Sequence, residues 1–282
     1  MRWEDLGRSR NVEDRRGSPA RGLLIGGGGI GTIVLILLYV LMGGDPARLA
    51  QQLPQVQGPS GSQTLDPQEQ KLADFVSAIL ASTEETWTRQ FQEMGRQYVE
   101  PKLVLFTGRV DSACGMASAA MGPFYCPNDQ KAYIDLSFYR ELQQRFKSPG
   151  DFAQAYVIAH EIGHHVQNLL GTSDRVHSLQ RRANETEANQ LSVRLELQAD
   201  FYAGIWAHYA QQYKDVLEPG DIEEALHAAS AIGDDNIQKQ AQGYVVPDSF
   251  THGTGAQRMK WFMKGYQSGD MKQGDTFSVA EP

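Results

Sequence analysis

The sequence predicts an α+β fold: a mostly helical domain with a small β-sheet, preceded by one transmembrane helix. Three observations carry this expectation. Apolar residues recur at helical spacing through Phe152, Ala155, Tyr156, Ile158, Ala159, Ile162, Val166, Leu169 and Leu170, and Gly171 is placed to end that helix. Residues 103–106 and 131–136 are short apolar runs of strand length. Residues 23–42 form an uncharged run of 20 residues, enough to cross a bilayer as a helix.

Taken in order, residues 1–21 are polar, with six arginines (Arg2, Arg8, Arg10, Arg15, Arg16, Arg21) against four acids. Such a segment reads as an unstructured tail. Residues 22–42 then read as a signal anchor, since the span exceeds a usual cleaved signal and no A-x-A site follows. The arginine excess ahead of it predicts a single-pass membrane protein, with residues 1–21 cytoplasmic and the following domain outside. Gly26–Gly31 formally satisfies G-x-G-x-x-G, but no strand precedes it, so a glycine-rich membrane entry is preferred to a nucleotide loop.

Residues 43–66, rich in Gly, Pro, Gln and Ser, read as a linker, residues 67–270 as the main folded domain and residues 271–282 as a C-terminal tail. Removing the tail's six basic and four acidic residues from 26 and 34 leaves 20 against 30, an acidic balance that argues against nucleic acid as a partner. Asp66 and Pro67 open a helix with the stripe Leu72, Phe75, Val76, Ile79 and Leu80, and Ser82 starts a second helical piece through Trp87, Phe91 and Met94. Cys114 and Cys126, the only cysteines, enclose a short loop. Outside the cytoplasm they are expected to form a structural disulfide, with two buried thiols as the alternative. Residues 133–136 are, on fold analogy alone, the candidate edge strand for an extended peptide. Pro219-Gly220-Asp221 breaks the chain ahead of a helix over residues 222–232, and residues 257–266 form the last amphipathic helix.

The chemistry concentrates in His160-Glu161-Ile162-Gly163-His164. Residues four apart share a helical face, so His160 and His164 can both reach one Zn2+. Glu161 stands beside the metal, where a carboxylate can take a proton from an activated water and hand it to a leaving amine. This is H-E-x-x-H. Positions three and six beyond His164 hold Gln167 and Leu170, which excludes a third histidine at metzincin spacing. A carboxylate from the following helix remains. Glu196 and Asp200 share one face of a segment rich in Leu, Ala, Ile, Trp and Tyr, residues 191–209, and two carboxylates on a buried face need a reason. Glu196 as third ligand, with Asp200 accepting an N–H from a ligand histidine, supplies it. Glu185 and Glu187 are rivals in a more polar stretch.

H-E-x-x-H followed by E-x-x-x-D resembles the gluzincin pattern. The longer words Ala113-Cys-Gly, Gly122-Pro-Phe-Tyr-Cys-Pro127, His160-Glu-Ile-Gly-His-His-Val-Gln167, Glu196-Leu-Gln-Ala-Asp200 and Thr251-His-Gly253 resemble the bacterial neutral zinc metallopeptidases over residues 68–270. The resemblance implies a zincin-like domain with zinc ligands His160, His164 and Glu196 and catalytic Glu161. Phe201 departs from it, standing where a cysteine commonly follows the aspartate. His252 with Arg258 six residues on is similar to the His-Pro…Arg element of membrane-bound gluzincins, without the Pro. That likeness implies that His252 stabilises the oxyanion and Arg258 pairs with Asp200; the alternative is a His252 that only caps a helix. His177, His208 and His227 carry no motif and are expected at the surface or in the core.

The expected function is therefore hydrolysis of peptide bonds in a protein or peptide substrate by a membrane-anchored zinc metalloendopeptidase. A zinc-stabilised binding module without turnover and a zinc amidase acting on cell-wall peptides use the same residues. The sequence leaves substrate identity and oligomeric state open.

Overall fold

A computed structural model describes residues 1–17 and 66–282. The predicted span at residues 22–42 and nearly all of the predicted linker lie outside the described residues. Among the described residues no helix is long and apolar enough to cross a membrane. Residues 1–16 and 66–282 form one compact unit.

The elements follow the order β1 (Val12–Asp14), α1 (Pro67–Glu93), β2 (Lys102–Phe106), β3 (Arg109–Ser112), β4 (Gly115–Ser118), β5 (Phe124–Cys126), β6 (Lys131–Asp135) and α2 (Ser137–Gln144). After them come α3 (Asp151–Leu170), α4 (Thr172–Gln180), α5 (Glu185–Lys214), α6 (Asp221–Ala231), α7 (Asp234–Gln242) and α8 (Gly255–Ser268). The α+β expectation describes these elements. One sheet has the order β1-β2-β6-β5, with β1, β2 and β6 parallel and β5 antiparallel to β6. A separate hairpin pairs β3 with β4.

The reading of residues 1–21 as an unstructured tail is corrected. Met1, Trp3 and Leu6 are buried in the main core, with Trp3 edge-on to Phe75. Val12–Asp14 pairs in register with Leu103–Leu105. Glu13 takes Lys131 at 2.9 Å and Arg15 at 2.7 Å, and these cations hold its carboxyl down at about 2 against the opposing effect of burial. Arg16 pairs with Asp14 at 2.6 Å, and Arg2 with Asp215 at 2.7 Å. Three of the six arginines that suggested a solvated tail, Arg2, Arg15 and Arg16, face acids of the same unit, and Met1, Trp3 and Leu6 carry the burial.

Three further expectations change. The two helical pieces around Ser82 are one helix, α1, because Ser82 is buried and accepts the Trp206 indole N–H at 3.0 Å instead of capping. The segment 133–136 is not an edge: β6 is flanked by β2 and β5, and β5 ends the sheet. The segment 271–282 is no free tail either, since Arg194 on α5 donates to the carbonyls of Val279 (2.8 Å) and Ala280 (3.1 Å).

Helix α3 runs through the core against α1, α5 and α6. It has the predicted bounds and ends on Gly171 in the left-handed conformation, φ 78°. Its contact with α5 depends on Gly163, where an added Cβ would lie 2.9 Å from the Ala199 carbonyl oxygen. Any side chain there forces the two helices apart, and they carry the candidate site between them. Gly204 plays the same part where α5 meets α8: a Cβ there would collide with the Phe262 backbone.

Candidate metal centre

The α3–α5 contact brings Glu196 to the two motif histidines. His160 Nε2 lies 3.1 Å from Glu196 Oε2, and His164 Nε2 lies 3.4 Å from Glu196 Oε1. One ligand atom from each of the three residues falls within 4.8 Å of the others. That spread suits two imidazoles and a carboxylate around one small divalent ion, with a coordination position left open. Glu185 and Glu187, the rival carboxylates, sit in the first turn of α5, where Glu187 completes a capping box with Asn184. They take no part in the cluster.

Each imidazole is fixed from behind. His160 Nδ1 is 2.8 Å from Asp200 Oδ1, the partner expected for a ligand histidine. Asp200, fully buried, also accepts the Tyr156 hydroxyl and two bonds from Arg258, Nε to Oδ2 at 2.8 Å and Nη2 to Oδ1 at 3.0 Å. Burial would push the Asp200 carboxyl up, and Arg258 and His160 together hold it below the usual carboxylate range. His164 Nδ1 lies 2.9 Å from Gln167 Oε1, and the Gln167 amide donates to the Leu195 carbonyl at 2.6 Å. The residue that orients one ligand therefore also ties α3 to α5, one residue from Glu196.

Glu161 is buried beside these groups, and burial raises its pKa against the pull of both histidines. A raised carboxyl is the better proton acceptor near neutral pH. All four residues line a cavity of about 500 Å³, which also takes in Tyr125 of β5, His177, His252 and Arg258. His252 is reached from a different direction. Asp234, at the start of α7, accepts the backbone N–H groups of Thr251 (2.7 Å), His252 (2.6 Å) and Gly253 (3.1 Å), and its Oδ1 lies 3.2 Å from His252 Nδ1. This bond to Asp234 raises the His252 pKa. His252 thus lines the cavity with its ring held by Asp234.

His165, next to the ligand His164, is fully buried and bridges α3 to the edge strand. Its Nε2–H donates to the Val99 carbonyl (2.7 Å) and its Nδ1 accepts from the Tyr125 hydroxyl (2.9 Å), while burial drives its pKa down to about 4, so it stays neutral. Cys114 and Cys126 form a disulfide with Cα atoms 5.8 Å apart, pinning the start of β4 to the end of β5. A second acidic group, Asp151, Asp221 and Glu224, is already occupied by a cation of the chain itself: the Met1 ammonium lies 2.9 Å from Asp151 and 3.3 Å from Asp221.

Sequence reasoning missed Tyr156, Gln167 and Asp234. Tyr156 and Gln167 stand four residues before His160 and three after His164, on the ligand face, so their spacing was a usable signal. Asp234 had none, because only the chain's return at residues 251–253 brings it to the site.

Two helices that hold a paired-histidine, single-carboxylate cluster with a buried glutamate beside it define the zinc metallopeptidase class. The chain belongs to the family described as "Putative neutral zinc metallopeptidase", whose profile matches residues 1–277. That match starts at residue 1, well before the span over which the motif words resemble the family. The chain is 50% identical over 285 residues to "Uncharacterized protein YpfJ" of Escherichia coli K12, covering 98% of this chain and 99% of that protein. It is 46% identical over 217 residues to "Uncharacterized protein Rv2575" of Mycobacterium tuberculosis, covering 73% and 72%. No solved structure matches.

Proposed function

We propose that the protein is a zinc-dependent endopeptidase in which Glu161 is the general base and His160, His164 and Glu196 hold the metal. The observation that carries this reading is the convergence of those three donors, from two helices, beside a buried carboxylate whose pKa is raised. Zinc held there supplies a Lewis acid that acidifies water and polarises a carbonyl oxygen. Glu161 takes the proton of the attacking water and delivers it to the leaving amine nitrogen. Asp200 and Gln167 fix the rings of His160 and His164 so that both Nε2 atoms face the same point. His252, oriented by Asp234, donates a hydrogen bond to the oxygen that gains negative charge. Arg258 is committed to Asp200 and acts through it.

The outer edge of β5 suits an extended peptide, because Phe124 and Tyr125 line the same cavity and no strand covers that edge among the described residues. Hydrolysis of an unstructured protein or a peptide library by the zinc-loaded full chain, run beside Glu161→Gln, tests the reading. The expected result is cleavage by the wild type and loss of turnover by at least ~10³-fold in the variant, with one zinc bound in both. Equal inertness of two zinc-loaded proteins overturns it.

A further inference from the structure

Apart from the reacting groups, Ser173, His177 and the hydroxyls of Tyr125 and Tyr156, the cavity wall is apolar. Val157 stands one turn before Glu161 on the same face of α3, and Phe138, Phe146, Ile232 and Ile237 continue the wall from α2, the loop after it, and the α6–α7 region. Each charged group that lines it is already engaged. His160, His164 and Glu196 face one another, Arg258 is held by Asp200, and His252 by Asp234. Glu161 is reserved for proton transfer. The stretch of wall formed by Val157, Phe138, Phe146, Ile232 and Ile237 itself offers no charge to receive a charged substrate side chain, and burying one there without a partner is costly.

Resting on the peptidase reading, we infer that this wall is a specificity pocket for a bulky aliphatic or aromatic side chain next to the scissile bond, and that it rejects Asp, Glu and Lys there. The test is binding and cleavage of matched peptides that differ at one residue, Leu or Phe against Asp or Lys. Binding is read by fluorescence anisotropy on zinc-loaded Glu161→Gln, and cleavage as kcat/KM on the wild type. The expected preference for Leu and Phe is about 10- to 100-fold in both. Ile237→Lys should narrow the gap between the Leu and Asp peptides. Equal binding, or preference for the charged peptides, overturns the pocket while leaving the peptidase reading intact. Selective binding without wild-type cleavage overturns the peptidase reading and keeps the pocket. Binding of neither series overturns both.

A different observation carries a second inference. The pairing of Val12–Asp14 with Leu103–Leu105 and the burial of Trp3 make residues 1–16 part of the folded domain. Arg16 donates to the Glu69 carbonyl at 3.0 Å, so the chain leaves the domain at Arg16 beside the first turn of α1, where it returns. Strands cannot pair through a bilayer. We propose that residues 1–16 and 66–282 lie on the same side of any membrane this protein meets, in place of the opposite-sided arrangement expected from the arginine excess. Asp5→Cys and Gln143→Cys, both at exposed positions, are labelled in intact cells with a membrane-impermeant maleimide, each scaled to its labelling after lysis. Equal fractions for the two positions are expected. Labelling of one with protection of the other overturns the proposal.

Discussion

Two arms steady the candidate site, and they differ in depth. The inner arm, Arg258–Asp200–His160 with Tyr156, is buried, the Arg258 and Asp200 side chains being 3% and 0% exposed. The outer arm, Asp234–His252, ends in an imidazole whose side chain is 53% exposed. Both are a carboxylate bonded to a histidine Nδ1. In the inner arm the carboxylate also neutralises a buried guanidinium, so fold and metal site share one group. In the outer arm the carboxylate organises a loop, and its histidine holds no other element in place among the described residues. Depth thus decides how far an Asp–His pair is part of the framework.

The comparison breaks most visibly at Asp200. Asp200→Asn leaves Arg258 buried without its counter-charge, which should cost about 3–5 kcal/mol of unfolding free energy by denaturant titration. Adding Arg258→Met to that variant should recover part of the loss, a non-additivity the outer arm cannot show. Next in size is His252→Ala. Removing one donor to the developing charge should lower kcat by roughly 10²- to 10³-fold. Thermal unfolding should shift by no more than about 0.5 kcal/mol equivalent, as for an exposed residue. A large stability loss there would erase the distinction between the arms.

Gln167→Leu probes the inner side more gently. It frees the His164 ring without exposing a charge, and zinc affinity by competition titration should fall about 10- to 100-fold. The smallest effect is a shift in pH dependence. Asp234 raises the His252 pKa, so donation by the charged ring is complete below that raised value and fades as pH climbs through it. In Asp234→Asn the alkaline fall of kcat should therefore begin at lower pH, which a kcat–pH profile reads directly.

How much of this was legible in the sequence follows the same division by depth. His160, Glu161, His164, Glu196 and Asp200 lie on two helices whose period is written in their apolar residues, so spacing put each set on one face of its helix, and the gluzincin pattern implied that the two faces meet. Gly163, inside the motif, is what allows those helices to meet, and its role needed the neighbouring backbone. Asp234 and the α3–β5 bridge through His165 depend on contacts between distant segments, which local pattern does not encode. The N-terminal segment misled for a physical reason. A count of its arginines treats charge as solvated, whereas Arg2, Arg15 and Arg16 each face an acid of the same unit. Trp3, Leu6 and Val12 were the better signal. Likewise the edge strand was misplaced because fold analogy does not give strand order: β6 is interior, between β2 and β5.

Metal analysis of purified full-length protein and three variants bears most directly on the central claim that His160, His164 and Glu196 close around one ion. The account predicts one zinc per chain in the wild type, in Glu161→Gln and in Glu187→Ala, and loss of stoichiometric zinc in Glu196→Ala. Zinc retained at full stoichiometry in Glu196→Ala, or absent from the wild type after loading, would contradict it.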